Sequence, residues 1–193
     1  MDIAIIDYGA GNVRSVQFAL ERLGFTGELT ADPDRIMRAE KVIFPGVGEA
    51  SSAMEALRKF ELDQVIPKLK QPVLGICLGL QLLCEWSEEG DTACLGVFPE
   101  KVRSFPSSLK VPQIGWNTLL QLHSALFAAV PENAYAYFVH SYYVPVNAFT
   151  IAQSEYNLFF SAAMAKNNFY ACQFHPEKSG RTGEQILKNF LRL

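Results

Sequence analysis

Apolar positions in the first half of the chain follow two alternating rhythms. Residues 2–7 form a short, almost unbroken apolar run, the signature of a strand covered on both faces. Tyr8-Gly9-Ala10-Gly11-Asn12 turns the chain, and residues 13–23 then carry apolar side chains at helical spacing until Gly24 stops them. The alternation repeats. A second strand is predicted over 26–30, a short helix over 33–39, and a strand over 41–44 that runs into Pro45-Gly46-Val47-Gly48. Residues 50–70 read as helix in two pieces divided near Phe60, 72–76 as a buried strand, and 78–87 as a helix ended by 88–91. Strands alternating with helices predict an α/β fold, a parallel sheet with helices on both faces.

The texture changes after Leu95. Residues 97–111, 134–146 and 149–174 are rich in aromatic and β-branched side chains, with one helical stretch at 122–129. This half is expected to be mostly strands and hairpins, partly antiparallel. A helix over 182–191 closes the chain. No repeat, low-complexity tract or linker interrupts it, so residues 1–193 are expected to form one domain.

Composition narrows the function classes. A hydrophobic content of 49% with 19% charged residues excludes long disorder. The 17 basic and 20 acidic residues give a net charge of −3 with no Lys or Arg run, which argues against a nucleic-acid partner. The first strand begins at Met1 without a signal-peptide pattern, and no apolar run is long enough to span a bilayer. A cytoplasmic enzyme or binding protein is expected, with no membrane contact. The four cysteines (Cys77, Cys84, Cys94, Cys172) match neither a CxxC pair nor a zinc ribbon, so they are expected to be free thiols, three of them simply filling space.

Cys77 differs. Gly75-Ile76-Cys77-Leu78-Gly79 follows a buried strand and opens a helix, which is the nucleophile-elbow pattern with Cys in place of Ser. Such a turn strains the backbone, and small residues at 75 and 79 let the chain approach itself. The positive end of the following helix favours the reactive thiolate, and the Leu78 N–H is placed to donate to an oxyanion. In isolation the motif also fits a buried structural cysteine between packing glycines; its place between strand and helix favours the nucleophile.

Gln173-Phe174-His175-Pro176-Glu177-Lys178 follows a strand over 169–174. Residues two apart on an extended chain share a face, so Glu177 is placed to orient His175 as a general base. The other histidines read differently: His123 as a solvated residue opening a helix, His140 as a half-buried packing residue. Val42-Ile43-Phe44-Pro45-Gly46-Val47-Gly48 ends a strand in a glycine-flanked loop, and the amide of Val47 or Gly48 is a candidate second oxyanion donor. Flanking glycines allow that peptide either orientation at low steric cost. Gly9-Ala10-Gly11, with Asp32 and Asp34 about twenty residues on, imitates a dinucleotide fingerprint. Arg14 occupies the place of its third small residue, which argues against that reading.

The elbow through Gln81, taken with His175-Pro176-Glu177, resembles the class I (triad) glutamine amidotransferases over essentially the whole chain. Within that group Pro45-Gly46-Val47-Gly48, residues 111–117 with Gly115-Trp116-Asn117, residues 137–142 and residues 173–179 are similar to the glutaminase subunits of imidazole glycerol phosphate synthases. The resemblance implies a flavodoxin-like three-layer fold with a mixed, mostly parallel central sheet, helices on both faces and a small antiparallel sheet. It implies Cys77 as nucleophile, His175 as general acid and base, and Glu177 as orienter, with Leu78 and the Val47–Gly48 peptide as oxyanion hole. Gln81, Glu89, Ser141 and Tyr142 would hold L-glutamine, and Asn12, Trp116, Tyr137 and Lys178 would meet a (β/α)8-barrel cyclase subunit in a heterodimer. No metal or cofactor is implied. Glu49-Ala50 departs from the family, which usually carries a bulky residue at the second position, and Leu80 stands where Met is commoner. The rival readings are a triad glutaminase of another synthase (anthranilate or pyridoxal phosphate), a silent regulatory module on the same fold, and a cysteine hydrolase or peptidase.

Overall fold

The structure is a computed structural model that describes residues 1–9 and 11–193. The first half holds strands β1 (Ile3–Ile6), β2 (Gly27–Thr30), β3 (Lys41–Gly46), β4 (Val73–Cys77), β5 (Cys84–Ser87) and β6 (Thr92–Ala93). Its helices are α1 (Val13–Arg22), α2 (Pro33–Arg38), α3 (Ala50–Lys59), α4 (Leu62–Val65) and α5 (Leu78–Leu83). The second half supplies β7 (Phe98–Ser104), β8 (Gln113–Thr118), β9 (Tyr135–His140), β10 (Tyr142–Tyr143), β11 (Thr150–Glu155), β12 (Phe159–Lys166), β13 (Phe169–Cys172) and the closing helix α6 (Gly180–Arg192).

A seven-stranded sheet in the order β11-β12-β13-β4-β3-β1-β2 forms the middle layer. Its pairings are parallel from β13 through β4, β3 and β1 to β2, and antiparallel at β11-β12-β13. The unbroken apolar strands divide their side chains between two cores. Ile3 and Ile5 face α1 and α6, packing with Val16, Leu20, Ile186 and Phe190. Ala4 and Ile6 face the opposite way, toward Ile36, Met54 and Leu57 of α2 and α3 and the α5 leucines. Burial on both faces is why these strands lack polar alternation. Two smaller sheets, β10-β7-β5-β6 and the β8-β9 hairpin, lie outside this stack. Among the described residues no helix is long and apolar enough to cross a membrane.

The alternating first half and the strand-rich second half both hold, with local corrections. The helix expected over 78–87 stops at Leu83, and residues 84–87 form β5, which pairs with β7 and β6. The apolar density of the stretch masked a switch of period: along β5 Cys84 and Ser87 are buried while Glu85 is exposed. Strand β3 extends two residues further than expected, through Pro45 and Gly46. The break near Phe60 is real, because Glu61 takes a left-handed φ of 59° between α3 and α4. The helical stretch expected over 122–129 is one 3-10 turn, Ala125–Phe127. Left-handed backbone at Gln121, Ser124 and Ala129 stops anything longer there. The final helix is longer than expected by residues at both ends. Asp32, once part of a dinucleotide decoy, instead caps α2 by accepting from the Asp34 N–H at 2.9 Å; the middle residue of Gly9-Ala10-Gly11 lies outside the described residues.

Candidate active site

Strand β4 ends at the centre of the sheet, and its last residue is Cys77. On either side the ladder is continuous: Gly46 of β3 pairs with Cys77, and Cys172 of β13 pairs with Ile76. The chain must leave the sheet and begin α5 within one residue. Cys77 takes that turn with φ 56° and ψ −109°, a conformation that costs a non-glycine residue on the order of 1–3 kcal/mol. Close packing at the elbow explains the glycine at 79. A Cβ there would stand 2.0 Å from the Phe44 carbonyl oxygen. Cys77 is 7% exposed, its Sγ 3.6 Å from the Val139 carbonyl.

The histidine arrives from the neighbouring strand. Past β13 the chain carries His175 to the elbow, where it is 4% exposed and lines the same cleft as Cys77. Its Nδ1 lies 2.8 Å from Glu177 Oε1. The reason differs from the extended-strand alternation argued from the sequence. Pro176–Lys178 is a 3-10 turn, so the carboxylate curls back onto the ring. Ser179 and β9 hold the turn. The His175 N–H donates to the Tyr137 carbonyl at 2.9 Å, the Tyr137 N–H donates to Ser179 Oγ at 2.9 Å, and that hydroxyl donates to the His175 carbonyl at 2.7 Å. Burial pushes the imidazole pKa down, but the nearby Cys77 sulfur and the hydrogen-bonded Glu177 carboxylate outweigh it and raise it to about 10. With Nδ1 committed to Glu177, Nε2 is the atom left to exchange a proton at the sulfur.

Cys77 and His175 open into a cleft of about 330 Å3 that also takes in Val47, Gly48, Leu78, Gln81, Glu89, Ser141, Tyr142 and Lys178. The loop, the elbow and the β9-β10 segment read from the sequence therefore meet at one place. Gly48 has φ +102°, in the region that favours glycine. Glu89 lies across the mouth and ties down the same loop, because its Oε2 accepts from the Ala50 N–H at the start of α3, at 2.8 Å. Burial pushes its carboxyl pKa up, partly offset by that N–H, and Glu49 adds to the rise. Ala50 itself is buried in the α3 core contact, so the departure at 49–50 leaves a small, packed residue.

Three residues of the interface set lie elsewhere. Trp116 is 56% exposed and meets Tyr137 edge-on, ring centroids 5.8 Å apart, on the outer face of the β8-β9 hairpin. Ile114, also exposed, shares that face. Asn12 begins α1, its Oδ1 accepting from the Ser15 hydroxyl at 2.8 Å. His123 is exposed but opens no α-helix. His140 is buried more deeply than expected, among the rings of Phe105, Phe138 and Phe160. Its Nδ1 is 2.7 Å from the Tyr142 carbonyl and its Nε2 is 2.9 Å from Gln113 Oε1, and burial lowers its pKa to about 4. A neutral ring has one N–H, which the Tyr142 carbonyl takes, so Nε2 accepts and the Gln113 amide must turn its NH2 toward it. The sequence reading took His140 for a packing residue only, and gave no place in the site to Pro112 and Val139 of the lining or to Ser179 behind it. The spacing of His140 from the aromatic positions on either side was the available signal.

A thiol on a strained turn and an imidazole oriented by a carboxylate, in one cleft, are parts that acyl transfer from an amide requires. Residues 4–193 match the glutamine amidotransferase class-I family, and the chain belongs to it. Its relatives are more specific still. It is 54% identical, over the full length of both chains, to the imidazole glycerol phosphate synthase subunit HisH of Bacteroides fragilis (strain YCH46). It is 47% identical to the subunit of that name from Haemophilus influenzae (strain ATCC 51907), covering 99% of this chain and 97% of the other. Among solved structures, PurLQS from Thermotoga maritima superposes with a TM-score of 0.75 at 19% identity, covering 99% of this chain and 97% of that one. A glutamine amidotransferase from the same organism gives 0.66 at 17% identity, covering 100% and 83%. These two speak for the fold alone.

Proposed function

We propose that this chain is the glutaminase subunit of an imidazole glycerol phosphate synthase and hydrolyses L-glutamine with Cys77, His175 and Glu177. The observation that carries the reading is the meeting of Cys77 with the His175–Glu177 pair at the end of the central strands, in a chain whose full-length relatives are HisH subunits.

Glutamine enters the cleft with its carboxamide carbon at the sulfur. Gln81, Glu89 and the Ser141–Tyr142 backbone hold the rest of it. The Cys77 thiolate attacks that carbon, and the oxyanion is met by the N–H of Leu78 and by the Val47–Gly48 peptide. Each such donor is worth roughly 3 kcal/mol. His175, protonated and held by Glu177, gives its proton to the departing nitrogen as the C–N bond breaks, leaving a thioester and ammonia. Water, deprotonated by His175, then attacks the thioester, and breakdown returns glutamate and the free thiolate.

Ammonia released to bulk water is protonated and loses its nucleophilicity, so a receiving subunit is needed. The reading supplies a (β/α)8-barrel cyclase as partner in a heterodimer, in the cytoplasm. The exposed Ile114 and Trp116 on the β8-β9 hairpin support it, and Tyr137, Asn12 and Lys178 would join them in meeting that partner. Large apolar side chains exposed side by side on a hairpin are characteristic of an interface.

The test is glutamate release from glutamine, with and without the cyclase subunit and its nucleotide ligand, in wild type and Cys77→Ala. Release stimulated by the partner and abolished in Cys77→Ala is the expected result. Absence of release in every combination overturns the assignment and favours another synthase or a silent module.

A further inference from the structure

Gln173 has no part in the mechanism above, yet its side chain is fully buried against the cleft wall. It stands just beyond β13, two residues before His175. Its main-chain N–H donates to the Ala162 carbonyl at 2.8 Å, which anchors the backbone. The side-chain amide meets two groups of the site. Its Oε1 accepts from Gln81 Nε2 at 3.1 Å, and its Nε2 lies 3.9 Å from Cys77 Sγ.

A main-chain carbonyl sets the direction of both amides. The Tyr142 oxygen only accepts, and Gln81 Nε2 lies 3.1 Å from it, so the Gln81 NH2 faces that oxygen. The second hydrogen of the same NH2 goes to Gln173, which must present its oxygen. The Gln173 NH2 is then turned toward the sulfur. Reversing Gln173 alone sets donor against donor, and reversing both amides sets the Gln81 oxygen against the Tyr142 oxygen. Only one polarity runs from Tyr142 to Cys77.

Two effects follow. Both N–H groups of Gln81 are used by the protein, so its oxygen is the atom that remains for the cleft it lines. The Gln173 NH2, in a side chain with 0% exposure, meets no acceptor but the Cys77 sulfur among the described residues. A thiol is a weak acceptor and a thiolate a strong one, so a donor removed from water gains most when the sulfur is charged.

We propose that Gln173 is a positioning residue: it turns the Gln81 oxygen toward an N–H of the substrate and directs its own N–H at Cys77, favouring the thiolate. This rests on Cys77 as nucleophile and Gln81 as a substrate contact.

The test follows alkylation of Cys77 by iodoacetamide against pH, located by mass spectrometry, in wild type and Gln173→Met. KM and kcat for glutamine are measured in the complex with the cyclase subunit. The acid limb of alkylation is expected to move up by roughly one pH unit, about tenfold slower labelling on its acid side, as loss of a charge-assisted hydrogen bond implies. KM should rise several-fold as Gln81 loses its fixed orientation. Should Gln173→Met not fold, Gln173→Glu keeps an acceptor for Gln81 but sets a carboxylate at the sulfur; the limb then rises while KM stays near wild type. A limb at its wild-type position in a folded variant overturns the proposal, as does a uniform loss of kcat without any shift. Wild-type Cys77 labelled no faster than Cys94 overturns the nucleophile reading itself, and the proposal with it.

Discussion

At the scale of single residues, the pairing of His175 with Glu177 sets the pH range in which the site works. The imidazolium is stabilised, so its proton stays in place up to about pH 10. Chemistry that needs this proton on the leaving nitrogen is lost as pH rises through that value and persists below it. In Glu177→Gln the carboxylate charge is gone, and the alkaline limb of kcat/KM should move down by roughly one unit or more. Activity at pH 9 then falls further than activity at pH 7, a difference that initial rates at the two values will show. Gly79 offers a test that involves no ionisation. A methyl group at 79 meets a main-chain oxygen, not a flexible side-chain tip, so the strand and helix must separate. Gly79→Ala should cost roughly 2–4 kcal/mol in urea unfolding and lower kcat by displacing the sulfur.

At the scale of elements, the chain tells most where one period runs unbroken. The buried strands β1, β3 and β4 and the helix α1 were legible because each keeps a single rhythm and is closed by a turn residue. The elbow was legible because chemistry restricts which residues stand around Cys77. Helix α5 and strand β5 were not separable, since Leu82-Leu83-Cys84 fits either period and the switch depends on β7, which arrives later in the chain. His175 and Glu177 do meet, but not for the reason argued from the sequence: a turn, not a strand, brings them together. Gln173 and Ser179 stood within a stretch that carried the resemblance, but their roles were not legible, because those exist only once β9 and β13 lie beside the elbow. Ser179 belongs to this scale, as it joins β9 to the His175 turn through two hydrogen bonds. Ser179→Ala should destabilise by about 1–3 kcal/mol, read by thermal melting, and loosen the base enough to lower kcat more than it raises KM. On the hairpin, Trp116→Ala should leave the melting temperature within about two degrees of wild type, since the ring is solvent-exposed. Affinity for the cyclase subunit should drop at least about tenfold, measurable by titration calorimetry.

At the scale of the whole molecule, the sheet joins two apolar cores, and the candidate site stands where its central strands end. Cys77 comes from β4, the loop at 47–48 from β3, and His175 from beyond β13, three adjacent strands of that sheet. Neither core can open without disturbing these strands. In urea, loss of the selective labelling of Cys77 over Cys84, Cys94 and Cys172 and loss of secondary structure by circular dichroism should therefore coincide in one transition. A labelling transition that precedes the other would mark the cleft as a separately melting unit.

The β8-β9 hairpin offers its outer face to solvent through Trp116 and its backbone to the His175 turn through Tyr137. These are opposite ends of one short lever. The ring of Trp116 rests on Tyr137, and the carbonyl of that same tyrosine receives the His175 N–H. Tyr137 is therefore the one residue that touches both the exposed indole and the main chain of the base.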